Sequence, residues 1–155
     1  MEERISFKLD GLVLAGILHK PDDLKAGEQR GAFLVLHGFG SNKDEASSPK
    51  AAGLLSGFGY VTLRFDMRGC GDSEGDRGKV IYDDQIQDTL AALEFMAGLA
   101  EVEPGRIAAV GASYGAAVAV HAASQDKRLA AVIASGGWGN GDRTFHALHP
   151  TEESW

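Results

Sequence analysis

The segment Gly111-Ala112-Ser113-Tyr114-Gly115 places a serine between two glycines, where an apolar strand pattern gives way to a helical one. On such a sharp turn the serine is strained and its hydroxyl is exposed, and small neighbours two positions away prevent a collision across the turn. The start of the following helix is positively polarised, so the Tyr114 N–H can donate to an oxyanion. The spacing predicts Ser113 as the nucleophile of an acyl-transfer reaction and Tyr114 as an oxyanion donor. An ordinary tight turn is the alternative.

A second oxyanion donor is expected from the segment His37-Gly38-Phe39-Gly40, which follows another apolar run. Two glycines let the backbone approach a ligand closely. We therefore predict that the Phe39 N–H is the second donor. His37 precedes the nucleophile in the chain and stands at a strand end, where a hydrogen-bonded packing role is favoured over that of a base.

A serine hydroxyl is a weak nucleophile at neutral pH, so it needs a histidine base that a carboxylate orients. Local candidates that keep the order serine, acid, histidine are Asp142, His146 and His149. We favour the alternative in which residues 136–155 form a loop or cap over the substrate. His121 lies two turns into the predicted helix after Ser113, and we expect it to point away from the nucleophile.

Composition and motif searches exclude several other functions. A formal net charge of −7 argues against partners that are nucleic acids or anionic membranes. The one cysteine, Cys70, cannot form an internal disulfide or a cysteine-rich metal site. The glycine-rich segments lack the required positions of phosphate-binding and dinucleotide-binding loops. We therefore expect no cofactor and no metal, and we predict a reducing, cytoplasmic location.

The chain must position these motifs on alternating strands and helices. Strands are predicted at 4–9, 12–19, 32–36, 60–65, 107–110 and 129–134. An Asp10-Gly11 turn joins the first two as a hairpin, and Pro104-Gly105 is predicted to be a turn. Helices are expected to begin at Ser48 (the N-cap, before Pro49), at Asp83 and at Ser113. This order predicts an α/β fold with a mostly parallel sheet.

Three motifs in sequence order carry a resemblance to a known family. They are His37 to Gly40, Asp66 to Gly75 and Gly111 to Gly115, and the similarity covers about residues 5–138. The sequence resembles the α/β-hydrolase superfamily, most closely the group with dienelactone hydrolases, bacterial esterases and acylaminoacyl or X-Pro-type peptidases. The resemblance implies the α/β-hydrolase fold with an N-terminal antiparallel hairpin. It also implies that Asp66 and Arg68 brace a loop beside the oxyanion loop.

The same resemblance places the acid after a seventh strand and the histidine after an eighth, whereas only six strands are predicted here. We expect residues 1–155 to be the N-terminal part of a single domain, truncated after the sixth strand. Thr151 to Glu153 read as the start of a further helix. The apolar sixth strand would be an open edge, which we expect to pair with a C-terminal fragment or a second copy of the chain.

These observations together predict a serine hydrolase that cleaves small carboxylic esters through an acyl-enzyme on Ser113, with amides or peptides as further substrates. The alternative is a catalytically incomplete, hydrolase-like chain that acts as a binding module or needs a second chain for its histidine and acid.

Overall fold

The sheet of this protein has six strands, in the order β1-β2-β4-β3-β5-β6. The computed structural model describes residues 1–45 and 47–148. The strands are β1 (Glu2–Leu9), β2 (Leu12–His19), β3 (Arg30–Leu36), β4 (Val61–Phe65), β5 (Val102–Ala112) and β6 (Leu129–Ser135). The helices are α1 (Ser48–Gly57), α2 (Tyr82–Ala97), α3 (Tyr114–Gln125) and α4 (Gly141–Leu148). The helix start expected at 151–153 lies outside the described residues.

The first two strands form the predicted antiparallel hairpin, in which Leu9 pairs with Leu12. Its two turn residues both have positive φ, 51° at Asp10 and 82° at Gly11. An Asp-Gly pair favours a tight turn of this kind because glycine and aspartate tolerate the left-handed region. The hairpin joins the sheet through an antiparallel pairing of β2 with β4.

The centre of the sheet is parallel, as predicted, with β3 between β4 and β5. All five residues of β4 are buried, which is typical of a strand that is covered on both faces. Helix α1 packs against β3 and β4, while α2 and α3 pack against each other and against β5. The parallel strands end on one side of the sheet, so the loops after β3 and β5 lie beside each other.

Several predicted boundaries differ from the observed ones by one or more residues. Strand β5 begins at Val102, because the turn glycine Gly105 (φ 79°) sits in an irregularity of the β3–β5 register that does not end the strand. Helix α1 includes Ser48 and has Ser47 at its N-cap, with no side-chain cap hydrogen bond. Part of the segment expected to be a loop or cap, residues 136–155, is the helix α4, whose first turn carries an acidic residue.

Strand β6 is an edge of the sheet in the part of the chain that the structure describes. It pairs with β5 in parallel, and most of its side chains are exposed. The side chain of Ile133 is 51% exposed. The prediction that the apolar sixth strand has an open edge is confirmed for the described residues.

Candidate active site

Ser113 stands at the turn between β5 and α3 with φ 53° and ψ −120°. This is a conformation that a residue with a side chain rarely adopts. The two glycines of the motif are required because a side chain at either position would collide with neighbouring backbone. A Cβ on Gly111 would overlap the backbone of Gly115, and a Cβ on Gly115 would lie 2.5 Å from the carbonyl oxygen of His37. The predicted strained and exposed position of the serine is therefore present.

The loop after β3 lies directly beside this turn. A Cβ built on Gly38 would be 3.7 Å from the carbonyl oxygen of Ala112, the residue before the serine. Next in this loop is Phe39, whose ring meets the Tyr114 ring edge to face at 5.7 Å between centroids. Tyr114 is the first residue of α3, and the first N–H groups of a helix have no partner within it. The two segments predicted to supply oxyanion donors are thus neighbours.

His37 connects the loop after β3 to the loop after β4 as a packing residue. Its Nδ1 lies 2.9 Å from the Gly38 carbonyl oxygen, and the Met67 N–H donates to its Nε2 at 3.2 Å. These two contacts require a neutral ring with its proton on Nδ1. Burial lowers the pKa of His37, which outweighs the opposing effects of Gly38 and Asp66. The ring is therefore neutral and fully engaged, which supports the predicted packing role.

A buried ion pair joins the same two loops. The Lys43 ammonium contacts carboxylates of Asp66 at 2.8 Å, Asp72 at 2.7 Å and Asp44 at 3.0 Å. The Lys43 N–H also donates to Asp66 Oδ1 at 2.6 Å. Burial opposes the charged form, but the hydrogen bonds to these carboxylates outweigh it and raise the pKa of Lys43 above its usual range. Asp66 therefore ties the loop after β4, which the resemblance implied it braces, to the loop after β3. Lys43 is a partner that the sequence analysis missed.

The other residue expected to brace this loop, Arg68, donates from its backbone N–H and its Nε to the Asp88 carboxylate on α2, at 2.7 and 2.8 Å. Cys70 lies in the same loop. Burial raises the pKa of its thiol, with contributions from Asp66 and Asp88. A thiol with a raised pKa is protonated at neutral pH and is a poor nucleophile.

The local acid and base candidates do not reach Ser113 by a hydrogen bond among the described residues. Asp142 and His146 are four residues apart on α4, with Oδ1 and Nε2 separated by 3.4 Å, and both are largely exposed. His149 lies outside the described residues. The expectation that His121 points away from the nucleophile stays a prediction; its ring packs on Tyr82 at 5.2 Å and lines the cavity that Tyr114 also lines. Position along the helix alone could not show this contact.

Comparison with known proteins agrees with this geometry. The model of the X-Pro dipeptidyl-peptidase (S15) family matches residues 10–147. The chain belongs to this family. Its fold is that of an α/β-hydrolase, because the crystal structure of the α/β hydrolase GrgF from Penicillium sp. sh18 superposes with a TM-score of 0.81 at 30% identity. That match covers 96% of this chain and 51% of GrgF.

Two curated fungal relatives are similar over most of this S15-family chain. The acyltransferase drtE of Aspergillus calidoustus is 34% identical over 139 residues, which are 88% of this chain and 43% of drtE. The thiohydrolase aneE of Aspergillus aculeatus is 37% identical over 127 residues, which are 81% of this chain and 38% of aneE. The chain thus spans less than half the length of these relatives. Within the described residues, none of the helices has the length and apolar character needed to cross a membrane.

Proposed function

We propose that this protein is a serine hydrolase in which Ser113 forms an acyl-enzyme with a small carboxylic ester. The observation that carries the proposal is the strained Ser113 backbone, φ 53°, at the N-terminus of α3 and beside the Gly38-Phe39 loop. That arrangement exposes a hydroxyl next to backbone N–H groups, as acyl transfer requires. Membership of a peptidase family and similarity to a thiohydrolase support a hydrolytic reaction at a carbonyl carbon.

The chemical steps follow from this geometry. Ser113 Oγ bonds to the carbonyl carbon and gives its proton to a base, while the Phe39 and Tyr114 N–H groups stabilise the oxyanion. Loss of one such donor reduces kcat by about 10²–10³. The ester C–O bond then breaks, and the leaving alcohol takes the proton. Water attacks the acyl-enzyme next, releases the acid and restores the serine.

We further propose that the base and acid come from a C-terminal segment outside residues 1–155, or from a second copy of the chain, that adds a strand to the open edge of β6. Two observations support this: both ring nitrogens of His37 are engaged by the Gly38 carbonyl and the Met67 N–H, and the relatives are more than twice the length of the matched region. An exposed apolar edge strand is a template for pairing. Native mass spectrometry at micromolar concentration should show a species larger than the 16.3 kDa chain. A monodisperse monomer would contradict edge pairing, and a homodimer would favour a second copy over the C-terminal segment.

The hydrolase proposal is tested by hydrolysis of p-nitrophenyl acetate, in a preparation whose intact masses have been measured. Ser113→Ala should abolish turnover above background. The matched control is Ser124→Ala on the same helix, whose hydroxyl donates to the His121 carbonyl oxygen at 2.7 Å, and it should retain turnover. Activity that survives Ser113→Ala would remove Ser113 from its role. Absence of activity in a preparation that does contain a second segment would favour the binding-module alternative.

A second candidate function is transfer of the acyl group to an acceptor other than water, which the similarity to the acyltransferase drtE favours. The acyl-enzyme on Ser113 would be the same, but an alcohol or amine would attack it. Adding a primary alcohol to the ester assay distinguishes the two reactions. Transfer predicts a new ester as the main product, whereas hydrolysis predicts the free acid.

A further inference from the structure

A cavity of about 510 Å³ is lined by Tyr114, the residue that follows the candidate nucleophile in the chain. Its walls come from separate segments of the chain: Phe39 from the loop after β3, Tyr82 from the start of α2, Tyr114 and His121 from α3, and Trp138 from the loop before α4. Two of these residues, Phe39 and Tyr114, are also the ones whose N–H groups are proposed to bind the oxyanion. A group that fills the cavity would therefore adjoin the carbonyl carbon that Ser113 attacks.

The walls are organised around the Tyr114 ring. Its centroid is 5.7 Å from that of Phe39, 5.6 Å from that of Tyr82 and 5.7 Å from that of Trp138, with interplanar angles of 60–79°. Rings in edge-to-face contact hold one another in place and leave ring faces and edges available to a further ring. None of the described residues that line the cavity is Asp, Glu, Lys or Arg. This lining favours a neutral, planar, aromatic guest.

The Tyr114 hydroxyl adds a polar requirement. Its oxygen is buried and has no hydrogen-bond partner among the described residues, and Tyr114 as a whole is only 6% exposed. Burial raises the pKa of Tyr114 to about 12, with smaller contributions from Tyr82 and Cys70. The phenol is therefore a neutral donor at physiological pH. A buried donor without a partner is costly, and an acceptor on a ligand would remove that cost by drawing the hydroxyl to the cavity surface.

From these observations we propose that the cavity binds the acyl group of the substrate and selects an aromatic ring that carries a hydrogen-bond acceptor for the Tyr114 hydroxyl. The assignment of this ring to the acyl side rests on the proposed function. Recognition of the ring itself depends only on the cavity. The two ideas can therefore fail separately.

The binding test uses the Ser113→Ala variant, so that no turnover interferes, and three methyl esters measured by calorimetry. Methyl 4-acetylbenzoate is planar and carries an acceptor, methyl 4-isopropylbenzoate is planar without one, and methyl 4-acetylcyclohexanecarboxylate carries the acceptor on a saturated ring. We expect the first to bind about three- to ten-fold more tightly than either of the others. The second lacks one hydrogen bond, which contributes about this much, and the third lacks the planar ring that packs against the aromatic walls. Equal affinities for all three would overturn the proposal.

Substitutions then identify the recognising groups. In the Ser113→Ala background, Tyr114→Phe removes the hydroxyl but keeps the ring. It should weaken the binding of methyl 4-acetylbenzoate by the same factor and leave the affinity for methyl 4-isopropylbenzoate unchanged. Tyr60→Phe is the matched control, because Tyr60 packs on Phe33 elsewhere in the fold. It should change neither affinity. A Tyr114→Phe variant that binds both esters like its parent would remove the hydroxyl from recognition.

The site of binding is checked without a large substitution. In ¹H–¹⁵N spectra, methyl 4-acetylbenzoate should shift the amide signals of Val80, Gly139 and Gly141, which line the cavity. Shifts confined to other residues would overturn the site. If the esters bind as expected but Ser113→Ala leaves ester hydrolysis unchanged, the cavity proposal stands and the proposed nucleophile fails. If hydrolysis depends on Ser113 but the three esters bind equally, the proposed nucleophile stands and the cavity proposal fails.

Discussion

The Lys43 ammonium lies 2.8 Å from Asp66 Oδ2, although the two side chains are only 2% and 0% exposed. This ion pair joins the loop that carries Phe39 to the loop after β4. Removing one partner of a buried pair leaves an uncompensated charge, which costs about 3–5 kcal/mol. We expect Lys43→Met to lower the free energy of unfolding by about this amount, measured by urea denaturation.

The control for this prediction is Lys79→Met. Lys79 is 70% exposed and contacts Asp76 at 3.7 Å, and exposed pairs contribute about 0–1 kcal/mol. Equal effects of the two substitutions would show that the buried pair has no special role in stability.

The contact between Gly115 and His37 predicts a steric effect at the nucleophile turn. An added Cβ at 115 would lie 2.5 Å from a backbone oxygen that cannot move freely, so Gly115→Ala should destabilise the fold by about 1–3 kcal/mol or more. It should also displace the N–H groups at the start of α3 and lower the rate of Ser113 acylation. Gly53→Ala is the control, because nothing lies within 4 Å of its added Cβ and alanine stabilises a helix interior by up to about 1 kcal/mol. Thermal unfolding of both variants tests the difference.

Two buried histidines predict a pH dependence of stability. Burial lowers the pKa of His37 and that of His19, both from 6.5, and for His19 the opposing charge of Glu2 does not reverse the shift. The unfolded state then binds more protons than the folded state below pH 6.5, so stability is fully present above that pH and is lost as the pH falls through the folded-state pKa values. The midpoint of urea denaturation should therefore lie at a lower urea concentration at pH 5.5 than at pH 7.5.

The substitutions that test this dependence are at the two buried histidines. His37→Gln and His19→Gln should each flatten part of the slope between these two pH values. A slope that is the same in the wild type and in both variants would contradict the assignment to His37 and His19.

The exposed pair of Asp142 and His146 is expected to contribute little to reactivity. Its atoms are 3.4 Å apart on one face of α4, and the pair makes no hydrogen bond to Ser113 among the described residues. We expect Asp142→Asn to change the rate of p-nitrophenyl acetate hydrolysis by less than about two-fold, since removing a true orienting acid costs about 10⁴ in kcat. A loss of that larger size would assign Asp142 as the acid of the reaction.

Much of the fold was predictable because it depends on local pattern. The hairpin at Asp10-Gly11, the buried central strands and the strand-to-helix turn at Ser113 were all predicted and are confirmed. The start of β5 was predicted too late, since a turn glycine inside a bulged strand has the same sequence signal as a strand end. The assignments of His149, of the domain as the N-terminal part of a longer one and of a cytoplasmic location stay predictions.

The candidate nucleophile could be identified from the order of amino acids alone, because the sharp turn at Ser113 depends on glycines only two residues away on either side. How the site is held and shaped depends instead on contacts between segments that are far apart in the chain. Lys43 and Asp66 are 23 residues apart, and the rings of Phe39, Tyr82, Tyr114 and Trp138 come from four segments. The parallel strands bring these loops to one side of the sheet, and no local spacing encodes which side chains then meet.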